Sequence, residues 1–205
     1  MEAMTSASPT PRSFVIGYLS ELLPYTVLST SLFAAGVLAG IIAIVWLPDA
    51  AAGVERSIAE FVQLGHGLGP AGMFAFVAIN NAVKAAMMMY LGVVFGLIPI
   101  FFLVSNGMVL SVVVALISHE AGALVALAGL APHGIIEICA VLMAAAVGLR
   151  LGAVAVERMR RPDVNLRAEL SKAWRFFVTL VLPALLIAGT IEALATPFLL
   201  TMARG

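Results

Sequence analysis

The sequence predicts an all-α membrane protein: a polytopic helical bundle of about five transmembrane helices, with an N-terminal interfacial helix and a re-entrant segment. Three observations predict it. Apolar residues make up 62% of the chain and charged residues 11%, with a mean hydropathy of +1.11. Soluble domains run at about 45–50% and 25%. The apolar residues gather in blocks long enough to cross a bilayer, about 20 residues each. The basic residues, in turn, concentrate between the last two blocks. A formal net charge of zero gives no electrostatic footprint for nucleic acid. The lone cysteine, Cys139, excludes a disulfide within the chain or a thiolate metal cluster. Set in an apolar run, it is expected as a small buried hydrophobe.

In chain order, Met1–Pro11 is Ser/Thr/Pro-rich and lacks the charged-then-apolar pattern of a signal peptide. Ser13 to Tyr25 reads as an amphipathic helix too short to span, lying at the cytoplasmic surface. The plainer reading is a leading extension of the first span, broken near Pro24. Residues 1–25 are therefore a tail with an interfacial helix, and residues 26–205 a single transmembrane domain. Thr26 to Leu47 is the first span, ended by Pro48-Asp49; its Gly36-x-x-x-Gly40 suits close helix approach. Asp49 to Pro70 reads as a loop with an amphipathic helix over Glu55–Leu64 and a glycine-rich connector, Gly65 to Gly69. The latter lacks the strand-to-helix setting and the lysine of a phosphate loop.

Gly72 to Ile117 is an apolar block long enough for two spans, with Tyr90 to Pro99 as the turn between them. Ser118 begins a loop that continues through Ala123–Leu130 as the re-entrant piece, irregular backbone that needs cover from protein or water. Pro132 suits a first helical position, where its missing amide costs nothing, so the fourth span is expected from Pro132 to about Val156 and the fifth from Phe176 to about Pro197. Arg150, Arg158, Arg160, Arg161, Arg167, Lys172 and Arg175 cluster after the fourth. The positive-inside rule places them in the cytoplasm. Five spans then give a multi-pass cell-membrane protein with a cytoplasmic N-terminus and an external C-terminus.

Within the spans stand Lys84, Glu137 and Glu192, with Asn80, Asn81, Asn106 and His133 near them in depth. A charge at the centre of a membrane helix costs at least about 2.5–3.5 kcal/mol, so several on separate helices point to a shared interior site. These seven residues are the ligand or pathway candidates. Lys84 is the cation available to balance a carboxylate, and the asparagines supply further donors and acceptors. The alternative is that the set only fixes helix register, although interhelical polar contacts contribute just about 0.6 kcal/mol each. His133 and Glu137, four apart, share one helix face. One imidazole and one carboxylate are too few for a metal without His119 or Glu120, so no metal site is assigned. Without His-Glu-x-x-His or Gly-x-Ser-x-Gly, no catalytic residue is assigned either.

Pro132-His133-Gly134-x-x-Glu137, followed by Gly148-Leu-Arg-Leu-Gly152, resembles the signature of the stage II sporulation protein M family. Asn80-Asn81, Asn106-Gly107 and Ile191-Glu-Ala-Leu-Ala-Thr-Pro197 match the same pattern in order. The resemblance covers roughly residues 28 to 198. It implies an integral membrane protein whose family namesake acts as a scaffold beside cell-wall hydrolases during forespore engulfment. The expected function is a non-enzymatic membrane scaffold or partner-binding component of an envelope complex, without a cofactor. The alternative is an ion or small-solute permease or channel using the buried Lys/Glu/Asn set, with a separate ATPase subunit. Expected partners are the lipid bilayer, membrane or envelope proteins and, from the Gly36/Gly40 and Gly148/Gly152 faces, a second copy in a homodimer; nucleic acid is not one.

Overall fold

Helix formation begins where Thr10 accepts a hydrogen bond from the Ser13 amide at 3.3 Å and Pro11 occupies the first helical turn. The computed structural model describes residues 10–65 and 67–191, and within them all regular structure is helical. The first helix, α1 (Pro11–Trp46), runs unbroken for 36 residues with Pro24 inside it. The expected break at Pro24 does not occur. Tyr18 and Leu22 on one side of the proline and Ser29 on the other are buried, so tertiary packing holds both halves to one axis and overrides the local preference. At 1.5 Å per residue α1 is about 54 Å long, well beyond a ~30 Å hydrocarbon layer. Its first turns are therefore a continuous extension of the span.

A single residue, Leu47, separates α1 from α2 (Pro48–Gly65), whose proline and Asp49 suit a helix start. This amphipathic helix is longer than the sequence pattern suggests, taking in nearly all of the expected loop. Next come α3 (Pro70–Tyr90), a 3-10 turn over Leu91–Val93, and α4 (Leu97–Ala121). The expected turn between these spans is present. It closes through Phe95 and Gly96, both at positive φ, 55° and 74°.

The region expected as a loop and re-entrant segment is helical instead. Gly122, at φ 93°, is the one residue between α4 and α5 (Ala123–Arg160). Glycine adopts this left-handed backbone without a Cβ clash, so the chain reverses there, ten residues before Pro132. Pro132 consequently lies inside α5. After Pro162 and a short turn, Asn165 accepts from the Ala168 amide at 3.0 Å and caps α6 (Leu166–Phe176). The helix continues through a π-helical stretch, Phe177–Val181, and on through residues 182–191. Pro183 accounts for the π turn: its ring would press on the carbonyl of residue 179, and a wider turn relieves that.

Five of the helices are long and apolar enough to cross a membrane: Arg12–Trp46, Phe74–Val93, Leu97–Glu120, Gly134–Arg160 and Leu166–Ile191. The Gly134–Arg160 segment is the central one, half buried where the others are 22–33% buried. Small residues put it there. Ala140 and Ala144 to Ala146 are fully buried and let neighbouring helices approach closely. Around them pack Tyr18, Leu22, Met88, Leu103, Phe176 and Val181. Large apolar side chains such as Val27, Leu38, Ile79, Phe101 and Ile187 stay exposed, as expected of a bundle surrounded by hydrocarbon. Cys139 is exposed as well, contrary to the buried position expected of it.

Both glycine pairs are used inside the molecule. A methyl group at Gly36 would overlap the Val104 carbonyl oxygen, and one at Gly107 the Phe33 carbonyl oxygen. Thus α1 and α4 cross backbone on backbone, and the Ser111 hydroxyl donates across that crossing to the Val37 carbonyl at 2.7 Å. Gly148 and Gly152 likewise meet Met88, Gly92 and Gly96, seating the 91–96 turn directly on α5. Neither pair is left as a face for a second copy.

Candidate functional site

Among the candidates from the sequence, Asn80, Asn81 and Lys84 lie on α3, Asn106 on α4, and His133 and Glu137 on α5. All the described side chains in this set are half-buried. The Asn80 amide donates to Asn81 Oδ1 at 3.2 Å, a bond between neighbours on one helix. Lys84 interacts electrostatically with Glu137 across the α3–α5 interface, which is the expected charge pairing. Asn106 Nδ2 donates to the Phe102 carbonyl of its own helix at 2.7 Å. Asn106 and Glu137 are nevertheless brought together: both line a cavity of about 180 Å³ among α1, α4 and α5. Its other walls are mostly apolar, with Phe33, Val113 and Ile138 among them, and Gly134 at the α5 side.

His133 keeps its expected place four residues before Glu137 on one helix, but its side chain lies outside the described residues, as does the whole of Glu192. Among the described residues, no three His, Cys, Asp or Glu side chains come together as metal ligands would. The arrangement suits a polar contact between helices beside a small, partly open cavity, with room for a few waters or a very small solute. Ligand pockets for larger molecules run to about 300–1,000 Å³.

A second polar cluster, absent from the sequence-derived set, lies at the end of the bundle where α1 and α6 start. Glu169 is its centre, 7% exposed. It accepts from the Tyr18 hydroxyl at 3.0 Å and from Arg150 Nε, and Lys172 Nζ stands 3.5 Å from it. Arg150 also bonds Glu21, to the carboxylate at 2.6 Å and to the backbone carbonyl at 3.2 Å, and Lys172 reaches the same carboxylate at 3.2 Å. Two carboxylates and two cations thus balance. Aromatic rings cover them: Tyr18 stacks on Phe14 and meets Phe176 edge-on at 5.3 Å, with the Arg150 guanidinium 5.5 Å from the Tyr18 ring centre. Arg175 sits over Phe14 at 4.2 Å.

This cluster joins residues up to 151 positions apart, so spacing could not reveal it. The one available signal was Arg150, a cation inside an apolar run. Its partners on α1 and α6 pair only once those helices meet.

The same geometry accounts for the Gly148-Leu-Arg-Leu-Gly152 run residue by residue. The two glycines receive the 91–96 turn, Leu149 and Leu151 are buried, and Arg150 binds Glu21 and Glu169. A family model described as Stage II sporulation protein M matches residues 29–197. No curated protein and no solved structure matches the chain.

Proposed function

The chain belongs to the stage II sporulation protein M family, and from that premise we propose that it is a non-enzymatic membrane scaffold, a partner-binding component of an envelope complex. The observation that carries this reading is how the bundle is locked. The α1–α4 crossing and the seating of the 91–96 turn on α5 both bring backbone against backbone at glycines. Close-packed interfaces of this kind resist the rocking that alternating access requires. The Lys84–Glu137 contact and the small cavity beside it act as interhelical fastening, and the ion cluster around Glu169 fixes α1, α5 and α6 at one end.

The protein crosses the membrane five times, with its N-terminus in the cytoplasm and its C-terminus outside. Supporting this, the basic residues from Arg158 to Arg175 gather at the same end of the bundle as the start of α1 and the 91–96 turn, the cytoplasmic end by the positive-inside rule. Partner proteins would be met by the exposed polar face of α2, which carries Glu55, Arg56 and Glu60, and by the basic segment from Arg158 to Lys172.

The test combines two measurements on one preparation. Co-purification from native membranes should lose its partner proteins when Glu55 and Glu60 are changed to Arg, or Arg158 and Arg167 to Glu, while helicity is retained. Sealed liposomes holding the pure protein should pass no monovalent or divalent ion. A wild-type flux abolished by Glu137→Gln would replace the scaffold with a conduction pathway through the α3–α5 polar contact.

A further inference from the structure

A groove of about 620 Å³ opens on the outer surface of the bundle, between α1, the 91–96 turn and α5. Along α5 it runs from Leu149 to Arg161, about 18 Å of helix axis. Its inner part is apolar, walled by Leu28, Phe95, Ile100 and Val156, and its outer end is closed by Arg160 and Arg161. Polarity therefore changes along the groove in the sense in which a leaflet lipid changes from acyl chain to headgroup.

The two arginines are available for a ligand. Arg158 is occupied, donating to the Val164 carbonyl at 3.3 Å. Arg160 has no such partner among the described residues. Arg161 has only Glu157, 3.6 Å away with both side chains more than half exposed, a surface pair that holds neither group firmly. Phe95 adds an independent observation. It holds a positive φ of 55° and is 54% exposed. A bulky residue in that conformation is strained, and glycine would make the same turn without strain. The ring at the groove wall gives the phenylalanine a use that the turn alone does not.

We propose that this groove binds an anionic phospholipid, its phosphate held by Arg160 and Arg161 and its acyl chain lying along Leu28, Phe95 and Val156. Charge complementarity selects the headgroup, and the apolar length of the groove selects a lipid over a soluble phosphate. The site shares Arg160 and Arg161 with the basic segment assigned to partner proteins, but it requires only that the bundle be embedded, and its lipid readout is separate from co-purification.

Native mass spectrometry of the full chain in detergent, titrated with phosphatidylglycerol or phosphatidylcholine, tests it. Phosphatidylglycerol should be retained preferentially. Arg160→Gln with Arg161→Gln should remove that preference, at about fivefold per arginine. Glu157→Gln removes the one opposing charge and should strengthen phosphatidylglycerol binding; a gain of this kind cannot arise from misfolding. Ala153→Phe should fill the groove and weaken both lipids, whereas Arg12→Gln, exposed at the same end of the bundle and outside the groove, should leave both lipid affinities unchanged. Glycerol phosphate should fail to displace the bound lipid. Equal retention of the two lipids by the wild-type protein would overturn the proposal. So would an equal loss on Arg12→Gln, which would mean general attraction to a basic surface, or displacement by glycerol phosphate, which would mean an anion site without a lipid groove.

Discussion

Glu169 shows how much a single side chain can hold. It takes a tyrosine hydroxyl, an arginine and a lysine from three helices while almost out of contact with solvent. Removing it leaves Arg150 half-paired. Glu169→Ala should therefore destabilise by about 3 kcal/mol, the lower end of the cost of orphaning a buried charge, as measured by thermal unfolding in detergent. Arg150→Met with Glu169→Leu should recover more than half of that loss. Tyr18→Phe removes one hydrogen bond to a charged acceptor and should cost about 1.5 kcal/mol. The same logic applies to Lys84 and Glu137. If their contact is fastening, Lys84→Met and Glu137→Gln should each destabilise, and the double variant should be more stable than the sum of the two losses predicts. The candidate residues of that contact were legible because a charge in an apolar span stands out. Glu21 and Glu169 were not, because each sits in an ordinary polar stretch.

At the scale of elements, the glycines divide by what surrounds them. Gly36, Gly107, Gly148 and Gly152 have backbone where a Cβ would go, while Gly53 in α2 has open space. Gly148→Ala should consequently cost about 1–3 kcal/mol through forced separation of α5 from the turn, and Gly36→Ala should behave likewise at the α1–α4 crossing. Gly53→Ala should instead stabilise α2 by about 0.5–1 kcal/mol, through backbone entropy alone. Comparing the three in one unfolding assay separates packing from helix propensity. The prolines teach a similar lesson. Pro48 and Pro70 stand in the first turns of α2 and α3, as local rules favour, but Pro24 and Pro132 lie within helices that packing and the turn at Gly122 define. Local preference sets a boundary only when the surrounding contacts do not outweigh it.

For the whole molecule, the proposed five-span topology predicts that α2 and the α6 start face opposite sides of the membrane. In a Cys139→Ser background, Ser57→Cys should react with an impermeant maleimide in intact cells, and Ser171→Cys only after permeabilisation. Both positions are exposed, so accessibility does not limit the reading. The reverse labelling would invert the topology and with it the assignment of the basic end to the cytoplasm.

The all-helical class, the membrane setting, the turn near residues 90–99 and the family were all fixed by composition and motif, because hydrocarbon admits few solutions for an apolar chain. What tertiary structure alone decided is which polar groups meet and which proline-marked boundaries hold. Tyr18, Glu21, Arg150, Glu169 and Lys172 converge only when α1, α5 and α6 pack together. The glycine pairs are internal only because α4 and the 91–96 turn occupy them. Spacing along one helix tells which face a residue occupies, but the partner of that face is set by how whole helices bury their surfaces against one another.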